Sequence, residues 1–206
     1  LRKENFDVLH MHSWKEPYVI CSAKRHGVRK IILHIHDANF LLSRGESNRI
    51  IKNFVRNYNI KKANLIMAPS KDIFEKNSKL LNNKEKVIAP NCIDTVCYAY
   101  DEEVRALERK TLQIAEDEIA IGHVGRFTEQ KNHLFIVRVF KKILEKESKA
   151  FLLLIGSGPL RALVEDKLKD NSLKGRYLIL EYRDDIPEIM RTMNVFLLPS
   201  LFEGLP

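Results

Sequence analysis

An α/β fold of doubly wound parallel sheets, built in two successive series, follows from three observations on this chain of 206 residues. Short β-branched or apolar runs alternate with longer mixed segments, the pattern of a parallel sheet with crossover helices. The alternation breaks once, over the polar and charge-rich stretch 91–117, and then resumes. Glycine-bearing turns follow the apolar runs of the second series, where open α/β sheets place their ligands, just outside the carboxyl ends of the strands.

In the first series the expected strands are 7–11, 30–34, 65–68 and 86–88, with helices around 17–26, 47–62 and 71–81 between them. Gly27 closes the first helix in the position that favours glycine. Ser70 precedes the third in the place of an N-cap. After Pro90-Asn91 the regularity stops, and a short helix near 102–109 is the only element expected before 118. The second series opens with a strand at 119–124. Helix 133–147 carries Leu134, Val137, Phe140, Ile143 and Leu144 on one face. Strand 150–155 is apolar throughout, as a strand covered on both faces should be. A helix near 160–169, a strand at 177–180, a short helix at 186–191 and a strand at 195–198 complete the series. The expected division is a partial first domain over 1–98, a connection over 99–117 and a second, truncated domain over 118–206. The first series is short of opening strands, the chain starts without a methionine, and it stops inside a loop at Pro206. It is therefore expected to be a piece of a longer protein.

Composition narrows the class. With 45% hydrophobic and 30% charged residues the chain reads as soluble and globular. No apolar run is long enough to span a bilayer, and no signal-peptide pattern opens the sequence. Three irregularly spaced cysteines, Cys21, Cys92 and Cys97, make neither a disulfide framework nor a zinc ribbon, so a reducing cytoplasm is the expected setting. The net charge of +8 is uneven: residues 1–98 carry +9 and residues 99–206 carry −1. A basic first half suits an anionic partner. An anionic membrane face is favoured over nucleic acid, because the basic residues are not interleaved with aromatics as in a single-strand binder. An ordinary solvated lysine-rich surface explains the same charge.

The chemistry concentrates in the second series. In Gly122-His123-Val124-Gly125-Arg126, with Gln130-Lys131-Asn132 following, Arg126 and Lys131 flank the entry to helix 133–147. A helix N-terminus favours an anion, and an added guanidinium and ammonium suit a diphosphate. Gly122 and Gly125 let the backbone approach closely, and Gly125 is expected to need an unusual dihedral. Two basic residues on a basic surface are the plain alternative. Ile155-Gly156-Ser157-Gly158-Pro159 is a tight strand-to-helix turn with Pro159 placed to start the helix. Glu203, after Pro199-Ser200 and before Gly204-Leu205-Pro206, is a carboxylate suited to hydroxyl groups, hence to a sugar, or else an acidic residue opening a helix. In the first series, His10-x-His12 and His34-x-His36-Asp37 end two expected parallel strands, each pair on one face. Four histidines and an aspartate could bind zinc. No cysteine or glutamate completes a ligand spacing, though, and hydrogen bonding in a ligand cleft is the preferred role, so no metal is expected.

These motifs resemble those of the retaining GT-B glycosyltransferases of family 4, the group 1 transferases, and within them enzymes of bacterial capsule and exopolysaccharide assembly. The resemblance is strongest over 119–206 and extends over 6–94, through His34-Ile35-His36-Asp37, Ala68-Pro69-Ser70 and Ala89-Pro90-Asn91-Cys92-Ile93-Asp94. It implies two Rossmann-like domains, an acceptor held by the first and a nucleotide-diphosphate sugar, UDP- or GDP-linked, held by the second. Arg126 and Lys131, with Gly125, look like the diphosphate site. Glu203 resembles the first Glu of the Glu-x7-Glu motif that touches the donor sugar, with Gly204, Leu205 and Pro206 in the same loop; the second Glu would lie past the chain. His36 resembles the first-domain histidine that reaches toward the transferred sugar, so His36 and Glu203 are the expected catalytic residues. Tyr182-Arg183-Asp184, with Gly156, resembles the nucleobase and ribose region. Cys92 stands where the family usually has glycine, and the glycine-rich loop opening the family's first domain has no counterpart here.

The function implied is transfer of a sugar, with retention, to a glycan or lipid-linked acceptor, in the cytoplasm and peripherally at the inner face of the membrane. No cofactor is implied, because cationic side chains and a helix end take the charge of the leaving diphosphate. Nucleic acid is not an expected partner. A chain ending at Pro206 is expected to have little transferase activity of its own. The competing readings are a nucleotide-sugar epimerase or another enzyme on the same fold, and a non-catalytic nucleotide-binding module.

Overall fold

The computed structural model describes residues 5–13, 16–36 and 49–203. Asp37, Gly204, Leu205 and Pro206, and the first two residues of helix 47–62, lie outside them. The chain divides into two compact units, Leu1–Cys92 with Phe202–Pro206, and Ile93–Leu201. Among the described residues no helix is long and apolar enough to cross a membrane.

The first unit is a parallel sheet in the order β1-β2-β3-β4, formed by Val8–Met11, Lys30–His34, Leu65–Ala68 and Glu85–Ile88. Helices α1 (Pro17–Arg25) and α2 (Arg49–Lys62) make the first two crossovers. Ile20, Ile31, Leu33, Ile66, Ile73 and Leu81 are fully buried between sheet and helices. Gly27 sits at φ +79 just past α1, as its position at the helix end predicts. The third expected helix is instead two, α3 (Lys71–Lys76) and α4 (Ser78–Leu81). Asn77 separates them at φ −110 and ψ 15, with its backbone and side-chain amides both donating to the carbonyl of Ile73, at 3.2 and 2.7 Å. Ser70 occupies the N-cap position of α3 in extended conformation, but its side chain makes no capping hydrogen bond.

The second unit begins with α5 (Glu102–Thr111), capped by Asp101, whose carboxylate accepts from the amide of Val104 at 3.0 Å. Its sheet runs β7-β6-β5-β8, all parallel, from Ile119–Val124 (β5), Ala150–Ile155 (β6), Tyr177–Leu180 (β7) and Val195–Phe196 (β8). The connections are α6 (His133–Leu144), α7 (Arg161–Leu168) and α8 (Ile186–Arg191). β6 is covered on both faces: Leu152 and Leu154 pack in one layer with Ile136, Val137 and Phe140, while Phe151, Leu153 and Ile155 pack in the other with Leu112 and Ile189.

Three expectations shift here. α6 stops at Leu144, and its deepest residues are His133, Ile136, Val137 and Phe140, with Leu134, Ile143 and Leu144 only half-buried. β8 is shorter than 195–198 because the carbonyl of Leu197 is hydrogen-bonded to the ring of His123 at 2.8 Å. Pro159 precedes α7 without starting it: α7 begins at Arg161, and the amide of Leu160 before it donates to the carbonyl of Phe127 in the loop after β5 at 3.0 Å.

The strand order places the site. From β5 the chain moves out through β6 to β7, then returns to the other side of β5 as β8. The reversal between β5 and β8 is a topological switch point, where the loops leaving adjacent strands part and leave a crevice.

Candidate functional site

Three loops meet at the carboxyl end of β5. The amide of Gly125 donates to the carbonyl of Ile155 at 2.9 Å, and that of Phe127 to Ser157 at 2.9 Å, which laces the loop after β5 to the turn after β6. From the other side of the switch point, the amide of Leu201 donates to the carbonyl of Gln130 at 2.8 Å, and the side-chain amide of Asn132 reaches the carbonyl of Pro199 at 3.4 Å. The residues expected around a diphosphate thus lie on loops fastened to one another.

Glycine makes the first lacing possible. A Cβ at Gly158 would lie 2.6 Å from the carbonyl oxygen and 2.7 Å from the nitrogen of Phe127. One at Gly156 would meet the carbonyl of Gly125. Both also adopt backbone angles that L side chains rarely take, φ +138 at Gly156 and +153 at Gly158. Gly125 does not have the unusual dihedral expected of it, being absent from the positive-φ residues. Its lack of a side chain matters for space: a Cβ there would stand 2.9 Å from Nε2 of His123 and 3.4 Å from Cγ and Cδ of Lys131. The stem of Lys131 therefore packs over Gly125.

Arg126 is exposed, and Lys131 ends a 3-10 turn, Glu129–Lys131. Asn132 follows in the left-handed region at φ 55 and ψ 42, a conformation asparagine tolerates, and α6 starts directly after it. The first turn of α6 holds no acidic residue, so its positive end is not neutralised from within.

His123 and His133, to which the sequence reading gave no role, brace this loop. The ring of His133 stacks on Phe127 with centroids 4.0 Å apart and meets His123 edge-on at 4.8 Å. Nδ1 of His123 pairs with the carbonyl of Leu197, tying β5 to the segment after β8. His133 is 1% exposed and neither ring nitrogen has a hydrogen-bond partner. Burial, then the neighbouring His123 and Lys131, lower its pKa to about 4, so the ring is neutral at pH 7. The available signal was position: His133 opens the helix two residues beyond Lys131, on the face that also carries Val137 and Phe140.

Beyond β7, Tyr182 is exposed, and its hydroxyl pKa is raised by a hydrogen bond to Asp184. Arg183 turns its guanidinium onto Asp185, with Nε 2.7 Å from Oδ1. Arg161 joins this loop to the glycine turn, reaching the carbonyl of Gly156 at 3.2 Å and the carboxylate of Glu181 at 2.7 Å.

In the first unit, β1 and β2 pair in parallel with Met11 opposite Leu33, so His12 follows beside His34. Nδ1 of His12 and Nε2 of His36 are 2.7 Å apart. His34 and His36 stack at 4.1 Å, and His10 and His34 at 5.4 Å. Desolvation, then the neighbouring rings, lowers the pKa of His36 and brings that of His34 to about 4. Cys92 is exposed and takes no left-handed conformation, and the turn of this segment lies at 95–98, beyond the expected 91–94. Glu203 is half-buried and closes the described part of the chain.

Comparison with known proteins gives this arrangement a family. The model of glycosyl transferases group 1 matches residues 104–206, and that of glycosyltransferase family 4 matches residues 1–96. A putative glycosyltransferase of Bacillus subtilis, EpsF, is 30% identical over 99% of this chain and 54% of its own length. An Escherichia coli protein named UDP-Gal:alpha-D-GlcNAc-diphosphoundecaprenol alpha-1,3-galactosyltransferase is 29% identical over 100% of this chain and 55% of its own length. The chain spans about half the length of these curated relatives. Among solved structures, HepE of Anabaena in complex with UDP and glucose superposes with a TM-score of 0.79 at 17% identity, covering 94% of this chain and 52% of that one. At such identity the likeness speaks for the fold, which is GT-B. On the match of the family model to half its length, the chain belongs to the group 1 glycosyl transferases.

Proposed function

We propose that this chain forms part of an enzyme that moves a sugar from a nucleoside-diphosphate donor to a glycan or lipid-linked acceptor, with retention, in the assembly of a capsular or extracellular polysaccharide. The observation that carries the reading is the fastening of three loops around Lys131 and the positive end of α6, at the switch point of the second sheet. As the bond from the anomeric carbon to the diphosphate breaks, negative charge grows on the leaving oxygen. Arg126, Lys131 and the helix end stabilise it in place, with little reorganisation at the moment of reaction. Retention would leave the acceptor proton to the departing phosphate. Gly125 leaves room for the Lys131 stem beside the diphosphate, Gly156 with Tyr182, Arg183 and Asp184 would face the nucleobase and ribose, and His36 and Glu203 would attend the transferred sugar. The names of relatives support the donor and acceptor classes: one names UDP-galactose and a diphosphoundecaprenol-linked acceptor, and HepE was solved with UDP.

Calorimetric titration of UDP and GDP into the protein and its Lys131→Ala variant tests this. The expected result is binding of one nucleotide that the substitution weakens about tenfold or more, the scale of a lost charge-assisted hydrogen bond. Equal affinity in the two proteins would remove Lys131 from the donor site. A peripheral place at an anionic membrane is the companion proposal, resting on the +9 balance of residues 1–98. Flotation with liposomes containing an anionic lipid should retain the protein at low salt and release it at high salt, and protein left unbound at low salt would count against it.

A further inference from the structure

We propose that His10, His12 and His34 form a binding site for a divalent transition-metal ion of the zinc class at the carboxyl ends of β1 and β2. One ligand atom from each lies within 4.8 Å of the other two. The sheet produces this directly: residues two apart share a face of a strand, and the pairing of β1 with β2 sets His12 beside His34. The ring centroids of His10 and His12 stand 4.4 Å apart, and those of His12 and His34 stand 5.1 Å apart.

The second observation is the state of His34. It is 8% exposed, it stacks between His10 and His36, and neither of its ring nitrogens has a hydrogen-bond partner. A buried polar group left without a partner costs about 1–3 kcal/mol, and native structures seldom keep one without a reason. An ion at the centre of the three rings gives His34 that partner. Tetrahedral zinc with Zn–N bonds of 2.0–2.1 Å needs ligand nitrogens about 3.4 Å apart. His10 and His12 are exposed, so their rings have room to turn inward by the difference.

The donor set fixes the class of ion. Three neutral imidazoles suit zinc, cobalt, nickel or copper, and they do not suit magnesium or calcium, which take oxygen ligands. Three protein ligands leave a fourth position open to water or an incoming group. The 2.7 Å contact between Nδ1 of His12 and Nε2 of His36 then acts as the outer bond that orients a metal-bound imidazole through its other nitrogen. Occupancy of the site would be felt at His36. The proposal stands apart from the nucleotide site of the second unit and does not depend on it.

The test uses untagged protein stripped with a chelator and dialysed, titrated with Zn2+ by calorimetry and with Co2+ by visible absorption. One ion per chain should bind, and Co2+ should give the intense bands of a four-coordinate site. His10→Ala and His12→Ala, both at exposed positions, should each weaken Zn2+ binding about a hundredfold or more. His36→Ala, which removes only an outer partner, should weaken it roughly 10–100-fold. His26→Ala, at the end of α1, should change nothing. Far-UV circular dichroism of each variant confirms the fold. No Zn2+ binding to the wild-type protein overturns the proposal. So does binding that survives both His10→Ala and His12→Ala, or a pale, six-coordinate Co2+ spectrum.

Discussion

Replacing Gly158 by alanine isolates the close approach that joins the loops after β5 and β6. Two effects add. The backbone at φ +153 lies where a non-glycine residue costs of order 1–3 kcal/mol. The new Cβ would also stand 2.6–2.9 Å from the nitrogen, carbon and oxygen of Phe127, which are backbone atoms that cannot swing aside. Overpacking of that kind costs about 1–3 kcal/mol more. The sum is about 4 kcal/mol. At roughly 2–4 °C per kcal/mol for a chain of this size, the melting temperature should fall by about 8–16 °C. Gly175 is the internal control. It also has positive φ, +74, but a Cβ there meets nothing within 4 Å, so only the dihedral cost of about 1–2 kcal/mol applies. Thermal melts of the two variants beside the wild type, followed by circular dichroism, make the comparison. Equal losses for Gly158→Ala and Gly175→Ala would refute the steric argument, because backbone conformation alone would then explain both.

Two further predictions concern buried polar groups of the second unit. His133 has a pKa of about 4 in the fold against 6.5 when unfolded, so above pH 6.5 it is neutral in both states and its contribution is intact. Below 6.5 the unfolded chain binds the proton that the buried ring refuses, and stability falls by about 3 kcal/mol by pH 4. Urea midpoints measured from pH 7 to 4 should fall less steeply in His133→Leu than in wild type; parallel profiles would show that the ring does not resist protonation. Arg109 is buried and donates to the carbonyls of Thr192 at 2.8 Å, Glu118 at 2.7 Å and Ala115, and to the side chain of Asn194 at 3.3 Å. Arg109→Met leaves these acceptors unpaired and should cost about 3 kcal/mol in urea unfolding, while a loss below about 1 kcal/mol would mean that water replaces the guanidinium.

Much of this arrangement was legible in the chain, for an identifiable reason. Strands β2, β3, β5, β6 and β7 could be read to the residue because continuous apolar runs bounded by polar ones are local signals. What could not be read depended on partners far away in sequence. β8 ends early because the ring of His123, 74 residues before Leu197, takes that residue's carbonyl. Gly125 was expected to need a special dihedral, yet its need is for room beside His123 and Lys131, which only the folded loop reveals. The two-residue spacing of His10 and His12, and of His34 and His36, was plain in the sequence. That the pairs stand side by side was not, since the register of β1 on β2 is set by the whole sheet. At 71–81 the apolar pattern favours one helix, yet the chain forms two that meet at Asn77, whose backbone and side-chain amides share the carbonyl of Ile73.

The loop that carries Lys131 is held to its neighbours through backbone contacts on both sides. Lys131 lies over a glycine, follows a short turn and precedes a left-handed asparagine, and the loop that carries it is pinned on one side to the turn at Gly156–Gly158 and on the other to Pro199–Leu201. Two substitutions should therefore separate position from charge. Lys131→Ala removes an ammonium from a half-exposed site and should weaken nucleotide binding with little loss of stability. Gly158→Ala touches no ligand, yet it displaces Phe127, the residue after Arg126, and should lower both stability and affinity. If affinity fell with Lys131→Ala but held in Gly158→Ala protein that had lost several kcal/mol, the cations would bind without the fastened loops, and the glycine turn would belong to folding alone.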